Sequence, residues 1–193
     1  MHTSPILLAL ALGLSIPSAP TAQFLLRDIG PPTGNAPGSA PRKIVDLNGV
    51  AIFVANSAFG IELWRSDGTT IGTSMLRDIQ PGSDSSTPED LIAIGNFVYF
   101  TATLDGIGRE LWRTDGTPAG TILLRDIRAG ASSSSLGDFF EYQGSLWFRA
   151  TAASSGSELW TSDGSTNGTR LAVDINPGTV SYTHLTLPTI YSV

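Results

Sequence analysis

The chain has no cysteine, one lysine (Lys43) and two histidines, His2 and His184. The lack of thiols excludes a disulfide framework, thiolate catalysis and a lipid anchor on cysteine. Neither histidine falls in the body of the sequence: His2 lies in an apolar leader and His184 in an atypical C-terminal stretch. Without them there is no Ser-His-Asp or Cys-His catalysis, and no zinc or copper site built on imidazole or thiolate. Lys43 is the one Schiff-base candidate and has no supporting context. Carboxylates, arginine, tyrosine and hydroxyls remain. There is also no Walker motif, no dinucleotide fingerprint and no basic patch. A net charge of -6, with the eleven basic side chains scattered, argues against nucleic acid as a partner. Helix signals are missing too: between Gln23 and Thr179, β-branched, aromatic and turn residues dominate.

What is present is a repeat. The pattern E-L-W-x-[ST]-D-G-[ST]-x-x-G-T begins at Glu62, Glu110 and Glu158, 48 residues apart each time. A fixed period in this range marks a repeat architecture. Each copy is followed by a short apolar run ending in Asp-Ile: SMLRDI, ILLRDI and RLAVDI. A fourth such run, FLLRDI from Phe24 to Ile29, has no E-L-W before it. Loops rich in Gly, Ser and Pro come next, and then paired apolar runs joined at Asn48-Gly49, Gly95-Asn96 and Gln143-Gly144. Such dipeptides signal two-residue hairpins, because these turns need positive φ. Asp67-Gly68, Asp115-Gly116 and Asp163-Gly164 supply the turn after E-L-W.

Four short antiparallel strands per repeat describe an all-β, β-propeller-type blade. Stacked blades bury both sheet faces, which explains why adjacent Leu63 and Trp64, on opposite faces, are both apolar. A β-solenoid competes, but its coils are usually shorter, parallel and without internal hairpins. Three blades in an open arc are expected at residues 30–79, 80–127 and 128–178. FLLRDI, within 23–29, would be the strand that closes a larger ring with missing blades of the same chain.

Residues 1–22 have the layout of a secretory signal peptide. An apolar run from Pro5 to Leu14 is followed by small residues and a cleavage region near Ala19 to Ala22. The run is too short to span a bilayer. At the other end, Val180 to Thr189 resembles the translation of a transposase adapter used in short-read sequencing. Residues 179–193 are therefore expected to be a non-native tail, with the natural sequence continuing differently after about Gly178.

The repeated acids invite a functional reading. Glu62, Glu110 and Glu158 recur in register, as do Asp67, Asp115 and Asp163, and Asp28, Asp78, Asp126 and Asp174. A catalytic pair should occur once, in one asymmetric cleft. Acids present in every blade are expected to serve the blade: the turn Asp through an Asx-type turn, and Glu by pairing with the recurring Arg27, Arg77 and Arg125. Val173 replaces Arg in the last copy. Calcium is an alternative, since Asp-Gly-Thr turns and the Ser83-Asp84-Ser85-Ser86 loop offer oxygens, but the spacing of a known calcium loop is absent. Trp64, Trp112 and Trp160 are expected to pack between blades, each indole N–H finding a backbone partner, rather than to stack on sugars. Trp147 reads as core aromatic, with Phe53 and Tyr99 as counterparts. Asn167-Gly168-Thr169 matches a glycosylation acceptor, a weak signal.

Together these motifs resemble the bacterial ELWxxDGT-repeat proteins, over Phe24 to Gly178. The resemblance implies a β-propeller-like fold and an exported or surface protein, and it brings no catalytic residues with it. Ser165 for Thr and Val173 for Arg are its departures. No catalytic, cofactor or metal residue is assigned. The expected function is a non-catalytic, exported scaffold binding an extracellular protein or glycan through its loops. A polysaccharide-acting enzyme and a calcium-stiffened surface module are the alternatives. The enzyme reading would need a non-repeated acid pair, for which only Glu89-Asp90 and Glu141 stand out.

Overall fold

The structure, a computed structural model, describes residues 27–30, 38–175 and 177. The leader, Phe24 to Leu26 of the first apolar run, and the tail with His184 lie outside the described residues.

Twelve strands form three four-stranded antiparallel sheets, and no helix occurs among the described residues. Blade 1 holds β1 (Arg42–Leu47), β2 (Val50–Ser57), β3 (Gly60–Ser66) and β4 (Ser74–Arg77). Blade 2 holds β5 (Glu89–Ile94), β6 (Phe97–Leu104), β7 (Gly108–Thr114) and β8 (Ile122–Arg125). Blade 3 holds β9 (Gly137–Tyr142), β10 (Ser145–Ala152), β11 (Gly156–Ser162) and β12 (Arg170–Val173). Each sheet is a meander in chain order. The sheets do not close on themselves; they stack face to face as an open arc of blades.

The hairpins follow the turn chemistry. Asn48 and Gly49 have φ of 53° and 86°, and Gln143 and Gly144 have 52° and 75°, the pairs of positive values that a type I′ turn needs. A turn signal absent from the twelve-residue motif lies two residues before each Glu. Gly60, Gly108 and Gly156 open the third strand with φ of 76°, 84° and 74°. At Gly60 a Cβ would lie 2.1 Å from the Asp84 carbonyl oxygen, so the next loop presses directly on the backbone.

Strand pairing separates the faces. Phe53 lies opposite Trp64, Phe100 opposite Trp112 and Phe148 opposite Trp160. Val54 opposes Leu63 on the other face. Between blades 1 and 2 the core contains Ile52, Val54, Leu63 and Leu76 from one side and Val98, Phe100, Ala102 and Trp112 from the other. Tyr99, Leu111 and Leu124 meet Leu146, Phe148 and Trp160 between blades 2 and 3. Blades 2 and 3 thus turn their Phe-Trp faces to the preceding blade, and blades 1 and 2 turn their Leu63 and Leu111 faces to the next. The same register corrects one expectation: the counterparts of Trp147 are Tyr99 and Ile52, not Phe53. Trp147 is only half buried, on the outward face of blade 3, with Tyr142 edge-on at 6.0 Å.

The first strands approach one another, β1 beside β5 and β5 beside β9, and so line the inside of the arc. Each carries a bulge with one residue in the left-handed region, Lys43, Asp90 or Asp138, and a second such residue, Ala40, Thr87 or Ser135, lies three positions earlier, before the strand. The register of all three slips there.

Candidate functional site

The recurring glutamates are buried and committed to the joints between blades. Glu62 and Glu110 are 0% exposed, and Glu158 is 8% exposed. The Glu62 carboxylate accepts from the N–H groups of Ile79 (3.3 Å), Gln80 (3.4 Å) and Ser86 (2.9 Å), and from the Ser86 hydroxyl (2.6 Å). Glu110 accepts from the Ile127 N–H at 2.9 Å and from the Ser134 hydroxyl. Glu158 accepts from the Ile175 N–H at 3.0 Å. One side chain thus ties the outgoing strand and, in the first two copies, the inter-blade loop back to the third strand. Burial pushes the Glu62 carboxyl above its usual range against the pull of these bonds. Burial raises Glu110 as well, and the nearby Asp126 charge adds to it.

The expected pairing of these glutamates with the recurring arginines does not occur. The arginines reach across the blade boundary to a carbonyl instead. Arg27 donates to Thr73 O at 2.5 Å, Arg77 to Thr121 O at 2.9 Å and Arg125 to Thr169 O at 2.9 Å. The acceptor is each time the last residue of the motif, in the following blade. Glu62 and Glu110 take loop N–H and serine hydroxyl donors instead, although Glu110 Oε1 is left without a partner, and the guanidinium lies on the outer strand near the next blade's turn.

The turn aspartates behave as read from the sequence. Asp67 Oδ1 accepts from the N–H and hydroxyl of Thr69 (2.9 and 2.7 Å). Asp115 does the same with Thr117, and Asp163 with Ser165. These hydroxyl and N–H bonds hold all three carboxyls below the usual range. The rest of the motif closes the same turn. The hydroxyls of Ser66 and Thr73 bond at 2.7 Å, as do those of Ser162 and Thr169; Thr114 and Thr121 bond at 2.8 Å. A Cβ at Gly72, Gly120 or Gly168 would lie 2.0 Å from the Asp oxygen. Thr169 Oγ1, in the glycosylation-type tripeptide, is buried in this network.

Among the oxygens weighed as calcium ligands, Ser86 donates to Glu62 and Ser85 Oγ accepts from the Ile61 N–H at 3.0 Å. Among the described residues no three His, Asp or Glu side chains group as a metal site. One oxygen of each of Asp78, Asp126 and Asp174, and Oε1 of Glu110, is buried without a hydrogen-bond partner.

The non-repeated charges lie on the inner strands. Lys43 forms an ion pair with Glu89, from bulge to bulge across blades 1 and 2. Asp90 accepts from Thr101 Oγ1 at 3.2 Å. Glu141 is exposed. Arg109 of β7 donates to Thr87 O at 2.9 Å, while Arg149 of β10 donates to the equivalent Ser135 O at 3.0 Å and to Asp138 at 2.9 Å. Two different strands thus deliver a guanidinium to the equivalent carbonyl just before the first strand, at Thr87 and Ser135. Sequence reasoning missed these bulges; the signal they leave is a charged residue at the second position of each first strand, Lys43, Asp90 and Asp138.

Trp64, Trp112 and Trp160 pack between or against blades, 6%, 2% and 6% exposed. Their indole N–H groups have no hydrogen-bond partner, contrary to expectation. The buried ring area outweighs the one unmade bond. Arg77 lies 5.8 Å over the Trp112 ring.

The class these features define is an open β-propeller-type arc whose repeated polar side chains serve its own joints. Neither a protein-family model nor a curated protein matches the chain. No helix of the described residues is long and apolar enough to cross a membrane.

Proposed function

We propose that this chain is an exported, non-catalytic scaffold of the ELWxxDGT-repeat type, binding an extracellular protein or glycan through the loops at the blade ends. The observation that supports this reading is the commitment of the repeated carboxylates. Glu62 and the three turn aspartates accept from loop and turn donors, as does one oxygen of Glu110, whose Oε1 is buried without a partner. The loops that join the blades keep a polar frame and vary in sequence, QPGSDSSTPED against RAGASSSSLGD. The direct test is a panel of soluble glycans and surface proteins, assayed in parallel for retention by the immobilised chain and for hydrolysis. Retention without turnover is expected. Turnover that disappears in Glu89→Gln would replace the scaffold with a carboxylate enzyme. Export is tested by sequencing the N-terminus of protein recovered outside the cell; a start near Gln23 is expected, and a retained Met1 would overturn it.

A second reading, a calcium-stiffened module, draws on the partnerless oxygens of Asp78, Asp126 and Asp174. It requires a chelator to lower the melting temperature, and an unchanged melt discards it.

A further inference from the structure

The sequence holds two Asn-Gly pairs, Asn48-Gly49 and Asn167-Gly168. In such a pair the Gly nitrogen can attack the Asn side-chain carbonyl, because no side chain on Gly obstructs the approach. The two pairs sit in opposite surroundings. Asn48-Gly49 is the exposed tip of the β1–β2 hairpin. The space around Gly49 is open: a Cβ there would meet nothing within 4 Å beyond its chain neighbours. Asn167 is exposed too, but Gly168 is buried, and a Cβ there would lie 2.0 Å from the Asp163 carboxylate.

The acceptors on the two Gly nitrogens differ in the same sense. Gly49 N–H donates to Oδ1 of the exposed Asp46 at 2.9 Å. That is the reach a general base needs for the proton it removes. Gly168 N–H donates to the Ser165 hydroxyl at 2.9 Å, and that hydroxyl itself donates to Asp163. A hydroxyl committed as a donor inside a closed turn is no base for this proton. The Asn48 side chain is held by one long bond, 3.4 Å from Nδ2 to Asn96 Oδ1. The combination occurs once in the arc. Where blade 1 has Asp46, Asn48 and Gly49, blade 2 has Ala93, Gly95 and Asn96, and blade 3 has Glu141, Gln143 and Gly144. Asn96 is followed by the bulky Phe97, and Gln143 would have to close a larger ring.

We propose that Asn48 is a site of self-catalysed modification, converted to aspartate and isoaspartate with Asp46 as the general base and water as the co-reactant. The Gly49 nitrogen forms a bond to Asn48 Cγ while Asp46 takes its proton. The Cγ–Nδ2 bond breaks, the proton passes to that nitrogen, and ammonia leaves. A five-membered imide remains, and water opens it. Attack at the side-chain carbonyl gives aspartate; attack at the main-chain carbonyl gives isoaspartate. No oxidant or reductant takes part. Either product removes the donor to Asn96 and adds a negative charge two residues from Asp46. Isoaspartate also adds a methylene to the main chain inside the two-residue loop that sets the β1–β2 register.

Peptide mass spectrometry with isoaspartate detection, on the full chain aged at neutral pH, tests this. In the native chain Asn48 should convert about tenfold faster than Asn167, or more. In guanidinium chloride the two should convert at similar rates, since both are then unstructured Asn-Gly pairs. Asp46→Asn keeps an acceptor for the Gly49 N–H and removes the base, so it should slow Asn48 about tenfold. Asn167 in the same samples, with circular dichroism, reports that the variant is folded. A native chain in which Asn48 is no faster than Asn167 overturns the proposal. So does the same preference in denaturant, because the flanking sequence rather than the fold would then set the rate. An unchanged Asn48 rate in Asp46→Asn overturns the base. Asp46→Ala should be slow as well; faster conversion there would mean that Asp46 restrains the Gly49 nitrogen, and would also overturn it.

Discussion

At the scale of single residues, the motif is a set of mutually dependent hydrogen bonds. Gly120 is required because the Asp115 carboxylate stands where its Cβ would be, 2.0 Å away. Gly120→Ala should therefore cost about 1–3 kcal/mol, the usual range for overpacking a filled site. A lowered urea midpoint with an unchanged slope would report it. The two kinds of acid also respond oppositely to pH. Asp67, Asp115 and Asp163 have folded pKa values below the ordinary 3.8, so their stabilisation is present above that value and is lost as pH falls through the folded one. Glu62 and Glu110 lie above the ordinary 4.5, so their contribution is complete below it and is lost as pH rises through the folded value. Asp115→Asn should consequently lose less stability than the parent as pH falls below the ordinary 3.8, measured by denaturant titration at each pH. The role of the turn aspartates was legible, because an Asx turn is local in sequence. The role of Glu62 was not, since its partners lie 17 to 24 residues away.

At the scale of strands, hairpins were legible where the turn residues announce them, at Asn48-Gly49 and Asp67-Gly68. The start of β3 at Gly60 needed the approach of the Asp84 carbonyl to be understood. The arginines show how a side chain can be assigned the right region and the wrong partner. Arg77 was expected to meet a glutamate; it donates to Thr121 O and covers the Trp112 ring. Losing a hydrogen bond from a charged donor costs about 1.5–3 kcal/mol. Arg77→Ala should lower stability by that amount, and Arg77→Lys should restore only part of it, because a single ammonium cannot both reach the carbonyl and lie flat on the indole. Equilibrium unfolding of the two variants beside the parent checks both statements.

At the scale of the whole molecule, stability is distributed by neighbour. Leu111 is enclosed by two blades, while its equivalent Leu159 has one. Leu111→Ala should cost about 2–5 kcal/mol, the range for a closed core cavity. Leu159→Ala should cost clearly less, because Leu159 is only half buried. Equal losses in chemical denaturation would mean that the outward face of blade 3 is already covered.

The sequence by itself determined the architecture of the repeat. Period, hairpin dipeptides and alternating apolar residues are local signals, and a four-stranded meander is built from local contacts. It also determined that the Asp-Gly turns are self-contained. Only the tertiary structure decided which face of each blade meets which neighbour, where Glu62, Arg77 and their equivalents find partners, and that Trp147 aligns with Ile52 and Tyr99. Those contacts join residues a loop or a whole repeat apart, and a single strand's pattern carries no information about what is laid against it. The bulges at Lys43, Asp90 and Asp138 belong to the same class, since they form in pairing with the second strand and are flanked by contacts from other strands: Glu89 at Lys43, Arg109 at Thr87 and Arg149 at Asp138.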